Sequence, residues 1–260
     1  MTLLLLDIGN THTHVGLACE TGAIRQCDLP TAAWTNSDLP ADLARFAGAA
    51  SVTGAALCSV VPQATPRAVA AVRRRWQVTP LELTHQTLRG LGIRYPRPAS
   101  IGPDRLANAV AARQRVGAPV IVLDFGTAVT LDVVDRRGDY IGGIIAPGLA
   151  AMTDYLHEKT ALLPRIRIRE TRAVIGRNTR EAMLVGAVHG YRGMIRELLG
   201  ELRRELGVKG LPVLATGGYA ALMARQIPDI SAVVPGLTLE SLRLVWRAHQ
   251  AELPPRKRRR

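Results

Sequence analysis

Two aspartates carry the clearest chemistry in this chain. In LLLLDIGNTHTHVGL, Asp7 ends an apolar run and is followed by Gly9, Asn10 and Thr11; in VIVLDFGTAVTLDVV, Asp124 ends another and is followed by Gly126 and Thr127. A glycine at a strand end lets the chain turn at positive φ and brings backbone N–H groups close to a ligand, while Asn and Thr add neutral donors. Such a turn is a phosphate cradle. A carboxylate at the strand's carboxyl end points to the same place, where it can hold Mg²⁺ directly or through water. Asp, Gly, Asn and Thr are also common in plain strand-ending turns, so one copy would say little. Two copies in equivalent places, with a third glycine turn in ATGGYA (215–220), say more. Neither is a P-loop, since no Gly-x4-Gly-Lys-Ser/Thr occurs and neither turn holds a lysine; Gly-x-Gly-x-x-Gly is also absent.

Short Leu- and β-branched-rich runs ending in Gly, Pro, Asn or Asp read as buried strands: LLLLDIGN, AALCSVVP (55–62), PVIVLDFGT (119–127), VTLDVVD (129–135), YIGGIIAPG (140–148) and LPVLATGG (211–218). Helical periodicity lies between them at 40–48, 104–117, 148–163, 178–206 and 240–253. Alternating strands and helices predict an α/β architecture. Aligning Asp7 with Asp124 puts strand, Asp, any residue, Gly, Thr and a second strand (THVGLA, VTLDVV) in the same order in both halves, which predicts a duplicated unit. The expected lobes are 1–118 and 119–253, with 254–260 a disordered basic tail.

At 260 residues and 47% hydrophobic, the chain can bury a substantial core. The run Leu3–Leu6 is too short to span a bilayer, and no basic segment precedes it, so a cytoplasmic protein is expected. Cys19, Cys27 and Cys58 form no Cys-x-x-Cys pair and suggest neither disulfides nor zinc. The net charge of +13 is partly the terminal RKRRR (256–260), without which +8 remains. Basic residues at 67–76 and 192–206 alternate with apolar ones and read as solvated helix faces. Only ten aromatics occur and none interleaves with these clusters, so a stacking platform for single strands is missing. Any nucleic-acid contact is expected to be non-specific, through the tail.

The paired turns resemble those of the actin, hexokinase and Hsp70 superfamily. More of the chain, from Met1 to about Trp246, resembles the type III pantothenate kinases: DIGNTHTHVGL (7–17), CSVVP (58–62), YPRPASIGPDRLANAVAA (95–112), VLDFGTAVTLDVVD (122–135), GGIIAPGL (142–149), TALLP (160–164), IGRNTREAMLVGAVHGYRG (175–193) and ATGG (215–218). The resemblance implies a duplicated ribonuclease H-like fold with an ATP cleft between lobes, and a homodimer that phosphorylates pantothenate with ATP, the first committed step towards coenzyme A. It implies that Asp7, Ile8, Gly9, Asn10, Thr11, His12, Thr13 and His14 form the ATP phosphate loop, with Asp7 the Mg²⁺ partner. It further implies that Gly102, Pro103, Asp104 and Arg105 bind pantothenate, with Asp104 the general base, and that Tyr95 and Thr179 also contact this substrate. Asp124 would hold a monovalent cation, K⁺ or NH₄⁺, and Thr127 would contact ATP.

Each role has a plainer rival. Asp104 starts an apolar-periodic helix and could be an N-cap, Thr179 could be a helix start capped by Asn178, Arg105 a surface charge and Tyr95 a packed aromatic. A helix N-terminus also favours an ionised carboxylate, so cap and base are compatible at Asp104. His12, His14 and Arg97 depart from the family pattern, which bears on ATP geometry and leaves the acidic residues intact. The alternatives in function are a regulatory or nucleic-acid-binding protein on this fold, another small-molecule kinase or phosphatase of the superfamily, or a paralogue without turnover.

Overall fold

The computed structural model describes residues 1–19, 22–35, 38–208 and 210–252; the basic tail at 254–260, expected to be disordered, lies outside them. The chain divides into two compact units, Met1–Gln114 together with the segment from Leu237, and Arg115–Gly236.

The first unit contains strands β1 (Thr2–Ile8), β2 (His12–Ala18) and β3 (Arg25–Pro30), helix α1 (Ala41–Ala47), strand β4 (Val52–Ser59), helix α2 (Thr65–Trp76), short strands β5 (Leu81–Glu82) and β6 (Gly92–Ile93), and helix α3 (Pro103–Val116). Five of its strands run in the order β3-β2-β1-β4-β5, with β1–β2 and β2–β3 antiparallel and β1–β4 and β4–β5 parallel. The all-apolar run Leu3–Leu6 suits the central strand β1, which is covered on both faces. Successive side chains alternate. Leu4, Leu6 and Ile8 enter a core with Trp34, Leu43 and the α2 residues Ala68, Ala71 and Val72, so Leu3, Leu5 and Asp7 point to the other face.

The second unit contains β7 (Val120–Phe125), β8 (Ala128–Val134), β9 (Asp139–Pro147), α4 (Leu149–Lys159), α5 (Thr179–Val185), α6 (Tyr191–Leu206), β10 (Val213–Thr216), α7 (Ala220–Ala224) and β11 (Ala232–Val233). Within it the strand order is β11-β10-β7-β8-β9. The antiparallel pairs are β7–β8 and β8–β9; the parallel pairs are β7–β10 and β10–β11. That is the topology of the first sheet repeated, so the duplication read from two short phrases extends over five strands. The predicted helix at 178–206 is three pieces, because a π-helical segment, Gly186–Gly190, separates α5 from α6. Arg192, expected on a solvated face, is 1% exposed.

The chain then returns to the first unit as α8 (Leu237–Glu252), which packs on β1, β2 and β4. The sequence pattern assigned this helix to the second lobe because it follows that lobe in the chain. Its apolar side chains instead enter slots where the first sheet carries glycine. A Cβ on Gly54 would lie 2.6 Å from the Trp246 ring, and one on Gly16 would lie 3.4 Å from Leu239. Among the described residues, no helix is long and apolar enough to cross a membrane.

Candidate active site

Asp7 lies at the end of β1, opposite His14 on β2 and Cys58 on β4. The turn that follows is closed by Gly9 N–H donating to the His12 carbonyl at 3.0 Å. A clamp of hydroxyls holds it from behind. Thr31 Oγ1 donates to the Gly9 carbonyl at 2.6 Å, Thr31 N–H donates to the Thr11 carbonyl at 3.0 Å, and Trp34 Nε1 donates to Thr13 Oγ1 at 3.1 Å. Ile8 and Thr13 are therefore buried and shape the turn, while Asn10, Thr11, His12 and His14 are exposed along it. His14 Nδ1 is 2.6 Å from Asp28 Oδ1 on β3, so Asp7, His14 and Asp28 form a row across three strands.

Burial pushes the Asp7 carboxyl from an ordinary 3.8 up to about 6; His14 counteracts this, the nearby Asp104 charge adds to it, and hydrogen bonds from Cys58 and Thr238 oppose it. Cys58 Sγ donates to Asp7 Oδ1 at 3.3 Å, and burial beside two carboxylates holds its thiol protonated, well above the usual range. Thr238, in the first turn of α8, lies 2.8 Å from the side-chain amide of Asn108 on α3. A hydroxyl has one proton to give. The Thr238 proton is directed to Asn108 Oδ1, and the same hydroxyl lies near enough to Asp7 to hold its carboxyl lower than burial alone would.

Asp104 occupies the first turn of α3, with Gly102 preceding the helix and Pro103 its first residue. Its Oδ1 accepts from Arg105 N–H at 2.9 Å, and the Gly102 carbonyl accepts from the N–H groups of Arg105 and Leu106 at 3.1 and 3.3 Å. A Cβ on Gly102 would fall 2.5 Å from Asp104 Oδ1, so any side chain here would displace that carboxylate. Burial raises the Asp104 pKa, and the Arg105 N–H and guanidinium partly offset that. Two carboxylates from distant segments are thus brought within electrostatic reach in one unit. Tyr95 precedes the short 3-10 turn Pro98–Ser100 and is partly exposed.

In the second unit Asp124 lies opposite Thr130 on β8 and Thr216 on β10. Its turn is one residue tighter than the first, with Gly126 N–H donating to the Ala128 carbonyl at 3.1 Å. Thr127 is exposed at its tip. Two glycines pack against this turn. A Cβ on Gly217, which has φ +88°, would lie 2.7 Å from Asp124 Oδ1, and one on Gly148 would lie 2.2 Å from the Thr127 carbonyl and 2.5 Å from that of Gly126. Thr179 is the first residue of α5, capped by Asn178 Oδ1 accepting from Glu181 N–H at 3.0 Å. Gly176 presses on the same turn, where a Cβ would be 2.1 Å from Ala182 N.

Sequence reasoning missed Thr31, Trp34, Cys58, Asn108, Gly148 and Thr238. Cys58 and Gly148 lay inside quoted motifs and could have been found by pairing each glycine or strand end with an Asp turn. Thr238 carried no local signal, because its role depends on where α8 returns.

A repeated five-stranded unit, each copy with an Asp-x-Gly turn at the end of its central strand, defines a two-lobed, actin-like α/β fold of the sugar-kinase type. The inorganic polyphosphate/ATP-glucomannokinase of Arthrobacter sp. strain KM shares it, with a TM-score of 0.50 at 12% identity over 95% of this chain and 99% of that one. Residues 3–201 match the type III pantothenate kinase family. Proteins of that description from Akkermansia muciniphila and Methylacidiphilum infernorum are 46% and 43% identical, each over 94% of this chain and over 98% and 87% of their own lengths. The chain belongs to the type III pantothenate kinase family.

Proposed function

We propose that this chain transfers the γ-phosphoryl group of ATP to the primary hydroxyl of pantothenate, giving 4′-phosphopantothenate for coenzyme A synthesis. The convergence of Asp104 and Arg105, at the start of α3, with Asp7, at the end of β1, carries this reading. Phosphoryl transfer needs positioning and charge neutralisation more than covalent help from the protein. Asp104 accepts the proton of the attacking hydroxyl. Its desolvated carboxyl is a stronger base than a free one, and Arg105 keeps it ionised. Arg105 also binds either the pantothenate carboxylate or the transferring phosphoryl group, with Gly102, Pro103, Tyr95 and Thr179 as further substrate contacts. The turn from Asp7 to His14 cradles the ATP phosphates with backbone N–H groups, and Thr127 makes a further contact.

The donor sets suit two cations. Asp7 is a desolvated carboxylate whose hydrogen-bond partners Cys58 and Thr238 are neutral, which fits Mg²⁺. Asp124 sits in a cradle that a Cβ on Gly217 would fill, which fits K⁺ or NH₄⁺. When bound, these ions would neutralise phosphate charge. A homodimer is supported by the apolar side chains Met152, Tyr155 and Leu156 exposed on one face of α4, along with Leu162, Val174 and Ile175.

The test measures ATP-dependent phosphorylation of pantothenate in K⁺ and in Na⁺. Asp104→Asn keeps size and removes the base, so kcat falls by roughly 10²–10⁴ with substrate binding largely kept; Asp124→Ala abolishes the difference between the two salts. Near-wild-type turnover in Asp104→Asn refutes the base assignment, and no product in either salt from folded protein refutes the activity.

A further inference from the structure

A cavity of about 380 Å³ lies within the second unit, and none of its lining residues belongs to the Asp turns or to α3. At its wall Arg192, 1% exposed on α6, meets Glu170 in a two-pronged ion pair of 2.9 and 2.8 Å. Its Nη2 also donates to the Leu222 carbonyl at 2.8 Å, while its buried Nε has no hydrogen-bond partner among the described residues. Both Glu170 oxygens are committed to this guanidinium, and among the described residues Glu170 is the one acidic residue lining the cavity.

Arg172, Arg196 and Arg225 complete the basic wall; all three are exposed, and none forms an ion pair among the described residues. His189 stands beside them on the π-helical segment, one ring nitrogen 3.0 Å from the Ala173 carbonyl. Four guanidinium groups therefore face one carboxylate. A solvated helix face spreads its charges outward, whereas here they converge on a concave space from α6, α7's end and the 170–172 strand of loop. Concave protein walls focus such a field. The guanidinium fork matches phosphate geometry, and the volume is at the lower end of the roughly 300–1,000 Å³ of small-molecule sites. An excess of three charges exceeds what one carboxylate ligand neutralises. A phosphate monoester brings about −1.5 to −2, and a diphosphate more.

We propose that this cavity is a binding site for a small molecule bearing a phosphate monoester or diphosphate group, separate from the residues of phosphoryl transfer. The pair of buried Arg192 and half-buried Glu170 is its floor, and Arg172, Arg196 and Arg225 supply the charges that the ligand meets.

The experiment is calorimetric titration of the full chain with inorganic pyrophosphate and, separately, with inorganic phosphate. Saturating pantothenate and a non-hydrolysable ATP analogue are present to fill the transfer site. One remaining site per chain is expected, with affinity falling as salt rises. The variant R196A/R225A, altered only at exposed positions, should bind at least tenfold more weakly while its turnover without pyrophosphate is unchanged. Tighter pyrophosphate than phosphate binding assigns a diphosphate ligand, and the reverse a monoester. Absence of binding by either probe, or an affinity unchanged in R196A/R225A, overturns the proposal.

Discussion

Replacing Asp7 with Asn tests whether the proposed phosphate turn holds a carboxylate that the fold alone does not favour. Burial lifts this carboxyl from 3.8 to about 6, so the folded chain prefers it protonated. Its contribution to stability is full below about pH 3.8 and is lost as pH rises through about 6. At about 1.4 kcal/mol per pH unit the span corresponds to on the order of 3 kcal/mol, and partial exposure reduces the expectation to about 1–3 kcal/mol. Asn keeps the shape and carries no charge. In metal-free buffer, Asp7→Asn should therefore match wild type near pH 4 and exceed it by about 1–3 kcal/mol at pH 8, a gain in Tm of roughly 2–4 °C per kcal/mol. Paired thermal unfolding of both chains across that range isolates Asp7, because every other titrating group is shared. In an Asp104→Asn background the gap should be smaller and level off at lower pH, since the Asp104 charge contributes to the Asp7 shift. Asp7→Asn should also abolish phosphoryl transfer. A gap that stays constant from pH 4 to 8, or a wild type that is the more stable at pH 8, refutes the reasoning.

Gly148→Ala should displace the second turn, because its Cβ would sit 2.2 Å from the Thr127 carbonyl; a rise in the KM for ATP is expected with a stability loss of about 1–3 kcal/mol, whereas Gly193→Ala inside α6, with nothing near, should gain about 0.5–1 kcal/mol and leave KM unchanged. Thr238→Val removes a hydroxyl beside Asp7 that holds its pKa down, so the Asp7 carboxylate followed by ¹³C NMR should titrate above about 6, and an unmoved midpoint would exclude the contact. Tyr155→Glu places a charge in the exposed apolar face of α4 and should convert the proposed homodimer to a monomer by light scattering.

Much of the fold was legible because its signals are local. A strand, an Asp-x-Gly turn and a second strand occupy consecutive residues, so β1–β2 and β7–β8 could be read and matched from their own letters. The start of α3 was equally readable, since Gly-Pro-Asp-Arg combines a helix start with an acidic first turn. β3 and α7 were not foreseen, and the break between α5 and α6 was hidden inside one long amphipathic pattern.

By itself, then, the sequence determined the duplication and the two phosphate-cradling carboxylate turns, because each follows from backbone preferences over a few neighbouring residues, while the class of chemistry came from the resemblance of its longer motifs to a family. Only the tertiary structure decided which sheet α8 closes, and so placed Thr238 at Asp7 and Trp246 over Gly54. The same holds for Arg192, whose charge reads as solvated in the chain and is buried against Glu170 in the fold. The physical reason is common to these cases: burial and long-range pairing depend on which distant surface an element meets, and that information is not carried by its own periodicity.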